Sequence, residues 1–204
     1  MERAPYRILG DELEVRSYQP ADVTAVRKTI EDNREHLSPS MIWLDDFPQS
    51  DKGVMDLLLG FRAGFDLRRD YTYGIFLRSD GAFIGGTGLH PRIGPEAFEI
   101  GYWIGKDHLR KGHASCVVRM LSHVGMAYLK ATRLEIHVDL ENEPSLGVPE
   151  AQGYVLEGVR RRRLQTRKGL VDSMAFVMTQ EDYPQSRAAF EYVDMYDAAG
   201  CLIG

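Results

Sequence analysis

Cysteine is scarce: Cys116 and Cys201 are the only two in 204 residues, too few and too far apart for a disulfide framework or a zinc set. Both read as free thiols. No apolar run approaches the roughly 18 residues of a membrane-spanning helix, and the opening MERAPYRILGDELEV lacks the apolar core of a signal peptide, so the chain reads as cytoplasmic. Basic residues are outnumbered, 25 Lys and Arg against 30 Asp and Glu, for a formal charge of −5. That balance excludes a wholesale nucleic-acid binder, which needs a clustered basic surface; any basic site must be local. Internal repeats and a Pro/Ser-rich linker are absent. With 44% hydrophobic and 27% charged residues the composition is that of an ordinary soluble globule. We therefore expect one domain over residues 1–180 and a C-terminal extension over 181–204. Two nucleotide signatures fail as well. In GYWIGK only residues 102–104 separate Gly101 from Gly105, and Asp107 stands where a P-loop needs Ser or Thr after its lysine. GGTG at 85–88 lacks the spacing and the following helix of a dinucleotide fingerprint.

What is present is a mixed succession of strands and helices. LEVRSY (13–18) alternates as a strand, and Pro20 and Asp22 then suit a first helical turn ahead of Val23, Val26 and Ile30 at helical spacing. A second helix spans 50–70, weakened by Gly60 and Gly64. YTYGIFLR, AFIGGTGLH and AFEIGYWIG, separated by turn residues, predict an antiparallel meander. The clearest helix follows, with Ala114, Val117, Val118, Leu121, Val124 and Tyr128 on one apolar face between Gly112 and Lys130. RLEIHVDLE (133–141) predicts a strand, 144–152 a short helix, and YVLEGVRRRRL with LVDSMAFVMT a hairpin around TRKG. The order predicts an α+β domain. Apolar spacing in AAFEYVDMY predicts added helix in the extension and is compatible with a homodimer.

Between the third meander strand and the long helix lies GYWIGKDHLRKGHASCVV, 101–118. A glycine among basic residues at the mouth of a helix approaches an anion, because the first helical N–H groups lack partners of their own. Taken in order, FEIGYWIG, RKGHA, IHVDLENEPS and GYVLEG resemble the GNAT acetyltransferase superfamily over about residues 11–180, specifically its RimJ/RimL-like branch, which acetylates protein N-termini. NREHLSPSMIWL (33–44) also looks like that branch, where the matching segment borders the acceptor site. The resemblance implies a three-layer α/β/α GNAT fold with a mixed sheet of about six to seven strands, acetyl-CoA as cosubstrate and no metal. It would identify the anion as the coenzyme pyrophosphate.

The same resemblance implies roles for individual residues. Arg110, Lys111, Gly112, His113 and Ala114 would form the pyrophosphate turn. Leu109 departs from the usual Gln or Arg there, and Arg110 stands where glycine is common. Tyr102, Trp103 and Ile104 would lie beside the coenzyme, where a strand amide can stabilise a developing oxyanion; packing is their plainer role. Glu99 matches a carboxylate that acts as base in several GNAT branches, directly or through water, against the plainer reading of a solvent-facing strand residue. The glutamate that RimL-like enzymes carry seven positions beyond the Glu of Leu156-Glu157-Gly158 is Leu164 here, and the tyrosine that many GNATs use for the leaving thiol is Pro149. In their place Asn142 and Ser145 match an Asn-x-x-Ser motif, implying a pantetheine contact and a thiol partner, although both residues also suit local helix capping.

Arg160 to Arg163, Arg167 and Lys168 form the one dense basic cluster, a solvated hairpin or a contact to an acidic acceptor, to phosphates or to ribosomal RNA near a protein substrate. His36, Trp43, His90 and His137 are candidates for the acceptor side; the histidines suggest no metal set. The expected activity is direct acetyl transfer from acetyl-CoA to a primary amine, a protein N-terminus or a small molecule such as an antibiotic or metabolite. A catalytically silent acyl-CoA-binding domain is the rival that Leu109, Leu164 and Pro149 motivate. No membrane partner and no direct nucleic-acid function are expected.

Overall fold

The computed structural model describes residues 2–204. Its strands are β1 (Arg7–Leu9), β2 (Leu13–Ser17), β3 (Tyr71–Leu77), β4 (Phe83–His90), β5 (Ala97–Ile104), β6 (Arg133–Asp139), β7 (Val155–Thr166), β8 (Gly169–Thr179) and β9 (Asp194–Tyr196). They form one sheet in the order β7-β8-β6-β5-β4-β3-β2-β1-β9. The helices are α1 (Val23–Asp32), α2 (Arg34–Leu37), α3 (Asp51–Asp66), α4 (His113–His123) and α5 (Glu143–Ala151). The meander, the hairpin and the helices at 50–70 and after 112 are where the sequence predicts them; α3 runs unbroken past Gly60 and Gly64.

Two features differ from expectation. The sheet has nine strands rather than six or seven, because β1 pairs with both β2 and β9 along one edge. The AAFEYVDMY segment is a 3-10 turn, Arg187–Phe190, followed by β9, in place of an added helix. Its Val193 and Met195 are buried in the main core, which rewards an extended edge strand with the burial a surface helix would have offered.

Alternation along the strands sends side chains to two apolar layers. Phe98 and Ile100 of β5 meet Val117, Val118 and Leu121 of α4 on one face. On the other, Phe76 and Phe83 pack with Val23, Val26 and Ile30 of α1 and Val54 and Leu58 of α3. The result is the helix/sheet/helix sandwich the resemblance implies.

All strand pairings are antiparallel except β5 with β6. That parallel ladder covers only Ala97–Glu99 against Arg133–Glu135, although β5 continues to Ile104 and β6 to Asp139. Past Glu99 the two strands part, and main-chain groups on their facing edges are left for another partner. Among the described residues no helix is long and apolar enough to cross a membrane.

Candidate active site

A cavity of about 580 Å³ opens where β5 and β6 part. The end of β5 supplies Tyr102, Trp103 and Ile104; the turn and first residues of α4 supply His108, Leu109, Arg110, Gly112, His113, Ala114 and Ser115. Asn142, Pro144, Ser145 and Val148 come from the start of α5, and His36, Leu37, Ser40 and Met41 close the far side around α2. Of the residues singled out from sequence for catalysis or the coenzyme, nine meet on this one cavity, Tyr102, Trp103, Ile104, Arg110, Gly112, His113, Ala114, Asn142 and Ser145, and of the acceptor-side candidates His36 joins them. Lys111 instead lines a neighbouring hollow with Arg78, His108 and His113. Glu99 lines neither.

The α4 turn owes its shape to two left-handed residues, Arg110 (φ 58°) and Gly112 (φ 83°). Nothing lies within 4 Å of where a Cβ on Gly112 would stand, so conformation rather than space calls for glycine there. Cys116 N–H donates to the Gly112 carbonyl at 2.9 Å and opens the helical ladder. The N–H groups of His113, Ala114 and Ser115 therefore precede the ladder and are free for an anion, aided by the helix dipole. Burial, together with His108 and Lys111, lowers the His113 imidazole below its ordinary 6.5, with Glu12 opposing. The first turn therefore leans on neutral donors.

Asn33, at the junction of α1 and α2, holds this turn from outside. Its side-chain amide donates to the Thr29 carbonyl at 2.8 Å and its oxygen accepts the Lys106 N–H at 2.6 Å. No local pattern in the sequence flags it, since its partner lies on a different element.

On the open seam, the Tyr102 phenol reaches the Ser145 carbonyl at 3.5 Å, the outer limit of a hydrogen bond. Burial raises its pKa strongly, against the lowering effect of that contact, so the group stays a protonated donor. Asn142 stands at the N-cap of α5 but makes no side-chain capping bond. The plainer reading of that residue is thus not realised, and its amide remains available to the cavity it lines. Pro149 sits in the last turn of α5 without breaking it. The Trp103 indole lies over Gly86, where an added Cβ would come within 2.6 Å of its Nε1, and faces Trp43 with ring centroids 6.3 Å apart.

Glu99 lies on the same sheet face as Trp103, below the cavity, and is buried to 4% exposure. Arg92 grips both its oxygens, Nη2 to Oε1 at 2.5 Å and Nε to Oε2 at 3.0 Å, and Arg163 adds Nη2 to Oε2 at 2.7 Å. Burial alone would raise this carboxyl, but Arg92 first, then Arg163 and His137, bring it below its ordinary 4.5. A carboxylate so neutralised is a weak proton acceptor. Beside it, His90 is the ladder partner of Glu99 and is held through Nδ1 by Asp70 at 2.6 Å. His137 donates through Nε2 to the Glu135 carboxylate at 2.8 Å and belongs to the neighbouring network rather than the cavity. Within the basic cluster, Arg160 pairs with Glu157, Arg167 with Asp45 and Lys168 with Glu141. Among the described residues no three His, Cys, Asp or Glu side chains gather as a metal set.

Among the described residues the sheet parts at its one parallel seam with a helix N-terminus facing the gap, a place where main-chain groups can hold an anionic ligand. The chain matches the acetyltransferase (GNAT) domain over residues 12–155. It belongs to that family and is thereby an acyltransferase that uses acetyl-CoA. It is 33% identical over 85 residues to the uncharacterized N-acetyltransferase p20 of Bacillus licheniformis, a match spanning 42% of this chain and 48% of that protein. It is 28% identical to the probable N-acetyltransferase YjcK of Bacillus subtilis over 72% of this chain and 84% of YjcK. Mycobacterium smegmatis RimJ, solved in complex with CoA-disulfide, superposes with a TM-score of 0.81 at 24% identity, covering 93% of this chain and 95% of RimJ. At that identity the likeness is one of fold.

Proposed function

We propose that the protein transfers acetyl directly from acetyl-CoA to a primary α-amine, with a protein or peptide N-terminus as the leading acceptor class. The observation that carries this is the convergence of the α4 turn, the free edge of β5 and the Asn142/Ser145 pair on one cavity. Bound there, acetyl-CoA supplies an activated thioester. N–H groups of residues 113–115 would hold its pyrophosphate, Asn142 the pantetheine arm, and Ser145 the sulfur. The acceptor's neutral amine forms the amide bond as the carbon–sulfur bond breaks; its proton leaves to water or a base, and the sulfur regains one with help from the Ser145 hydroxyl.

The state of Glu99 bears on the acceptor. With both oxygens engaged by arginines, Glu99 is better suited to anchoring Arg92 and Arg163 than to taking a proton. An α-amine, whose ordinary pKa is about 8, is partly neutral at pH 7, whereas a lysine side chain near 10.4 is almost wholly charged. A site without a strong base therefore favours the α-amine. Of the groups near Glu99, His90 has the Asp70-oriented ring that a supporting base would need.

The test is thiol release and acetyl-product formation with peptides, lysine derivatives and small amines. Peptide α-amines are expected to react fastest; exclusive transfer to small amines would move the assignment to a metabolite or antibiotic, and coenzyme binding without transfer to any amine would leave a silent binder. Ser145→Ala is expected to lower kcat by about tenfold to a hundredfold with little change in coenzyme affinity.

A further inference from the structure

Resting on the acetyl-transfer reading, we infer that Arg92 and Arg163 form a carboxylate-recognition site for the acceptor, which selects amines carrying an acidic group on their first few residues or at comparable reach. The starting point is a mismatch of charge around a buried group. One carboxylate, Glu99, with a side chain only 5% exposed, is met by two guanidiniums that remain 55% (Arg92) and 37% (Arg163) exposed. Glu99 occupies Nε and Nη2 of Arg92 and a single Nη2 of Arg163, so the larger part of their N–H donors is left over. Among the described residues neither arginine makes a second ion pair. The nearby Asp70 is bound to His90.

Arg163 is brought there by a distortion of the hairpin. Arg160 pairs with Ser173 and Leu164 with Val171, so residues 161–163 of β7 stand opposite Asp172 alone. Arg162 at the centre of this bulge is left-handed (φ 51°), a costly conformation for a side chain with a Cβ. Asp172 holds it by accepting the Arg162 N–H at 2.8 Å. Bulges re-aim side chains, and this one turns a guanidinium inward toward Glu99 in a chain whose net charge is −5.

The position fits an acceptor lying along β5. Glu99 and Trp103 share a face, and four strand residues at about 3.3 Å each separate them by roughly 13 Å. Trp103 lines the cavity where the acetyl group would be delivered. An extended acceptor whose amine reaches that level spans the same length in three or four residues. Planar guanidiniums match a carboxylate in two-point fashion, and Glu99 keeps them oriented before the acceptor arrives.

The experiment compares kcat/KM for tetrapeptides with Glu or Asp at the second or third position against their Gln and Asn counterparts, beside small amines with and without a carboxylate. We expect about tenfold preference for the acidic member at low salt, shrinking as salt rises. Arg163→Gln, whose fold is checked by thermal melting and coenzyme titration, should bring the acidic-to-neutral ratio close to one, and Arg163→Lys should give an intermediate ratio. Preference within the peptide series would identify a chain terminus, and within the small amines a metabolite; either supports the carboxylate site. Equal rates for acidic and neutral acceptors, or a preference that survives in Arg163→Gln, would overturn it while leaving acetyl transfer intact. Transfer to no acceptor at all would remove both readings.

Discussion

At the α4 turn the cavity meets a helix start whose first N–H groups are unpaired, whereas outside the cavity, across β5 and β7, one carboxylate, Glu99, is held by the guanidiniums of Arg92 and Arg163. The side proposed for the coenzyme is shaped by backbone: a parted strand, a left-handed Gly112 and the start of a helix. The acceptor side, in the reading proposed above, is fixed by charge pairing across strands. One half should tolerate changes of side chain that keep the backbone, and the other should tolerate changes of backbone better than changes of charge.

The largest effect should come from placing a charge in the backbone-built half. Ala114→Glu puts a carboxylate where the first-turn N–H groups await a phosphate, and like charges at such distance cost several kcal/mol. Coenzyme affinity measured by titration calorimetry is expected to fall roughly a hundredfold or more, with the melting temperature of the free protein little changed. Binding that survives this change would mean that the coenzyme lies elsewhere and the contrast between the halves is misdrawn.

Glu99→Gln probes the charge-built half. The sign follows from its position: the folded carboxyl lies below its ordinary 4.5, so its contribution to stability is fully present above that pH and is lost as pH falls through the folded value. Because Arg92 and Arg163 can rehydrate, the loss at neutral pH should be about 2 kcal/mol, short of the 3 to 5 kcal/mol typical when a fully buried pair is broken. Urea denaturation at stepped pH should show wild type and variant converging below 4.5. If Glu99 is the anchor rather than the base, single-turnover transfer to a peptide α-amine should fall far less than the hundredfold or more that loss of a general base gives.

A smaller, more local contrast separates the two left-handed residues of the α4 turn. Gly112→Ala imposes a Cβ on φ 83°, at a cost of about 1 to 2 kcal/mol, and should weaken coenzyme binding about tenfold where the turn distorts. Arg110→Gly removes the corresponding strain at φ 58° along with any contact the guanidinium makes to phosphate. Its net effect on affinity should be under threefold, and a larger loss would assign the grip to the Arg110 side chain instead of the backbone.

The same division explains what could be read from the chain alone. Strands β2 to β8 and helices α1 and α3 to α5 follow from periodicity, and nine cavity residues from the family resemblance of motifs taken in order, because both are carried in contiguous stretches. β1 and β9 span only Arg7–Leu9 and Asp194–Tyr196, too short to show a period. Asn33 meets Lys106 73 positions away, and Arg163 meets Glu99 64 positions away from within a bulge of β7, pairings that no window of sequence reveals. The segment 33–44 is implied by the resemblance as a border of the acceptor site, and which of its residues form cavity wall, His36, Leu37, Ser40 and Met41, emerges only once α2 is folded.

The smallest effect is expected at the tip of the hairpin, where Arg167 pairs with Asp45 of the 3-10 turn Ile42–Asp45. With side chains 48% and 49% exposed, this pair should be worth no more than about half a kcal/mol, so Arg167→Ala should melt almost with the wild type. Its consequence lies in tethering: Asp45 shares its turn with Trp43, whose ring faces Trp103 at the cavity. Releasing the tip should raise the acceptor KM about twofold at low salt and leave coenzyme affinity unchanged, and the difference should vanish at about 0.5 M salt, where exposed charges are screened over a few ångströms. An equal loss of coenzyme affinity would show that the two halves of the cleft are mechanically coupled through Trp43 and Trp103, and the separation of backbone-built from charge-built function would then hold for the folded ground state only.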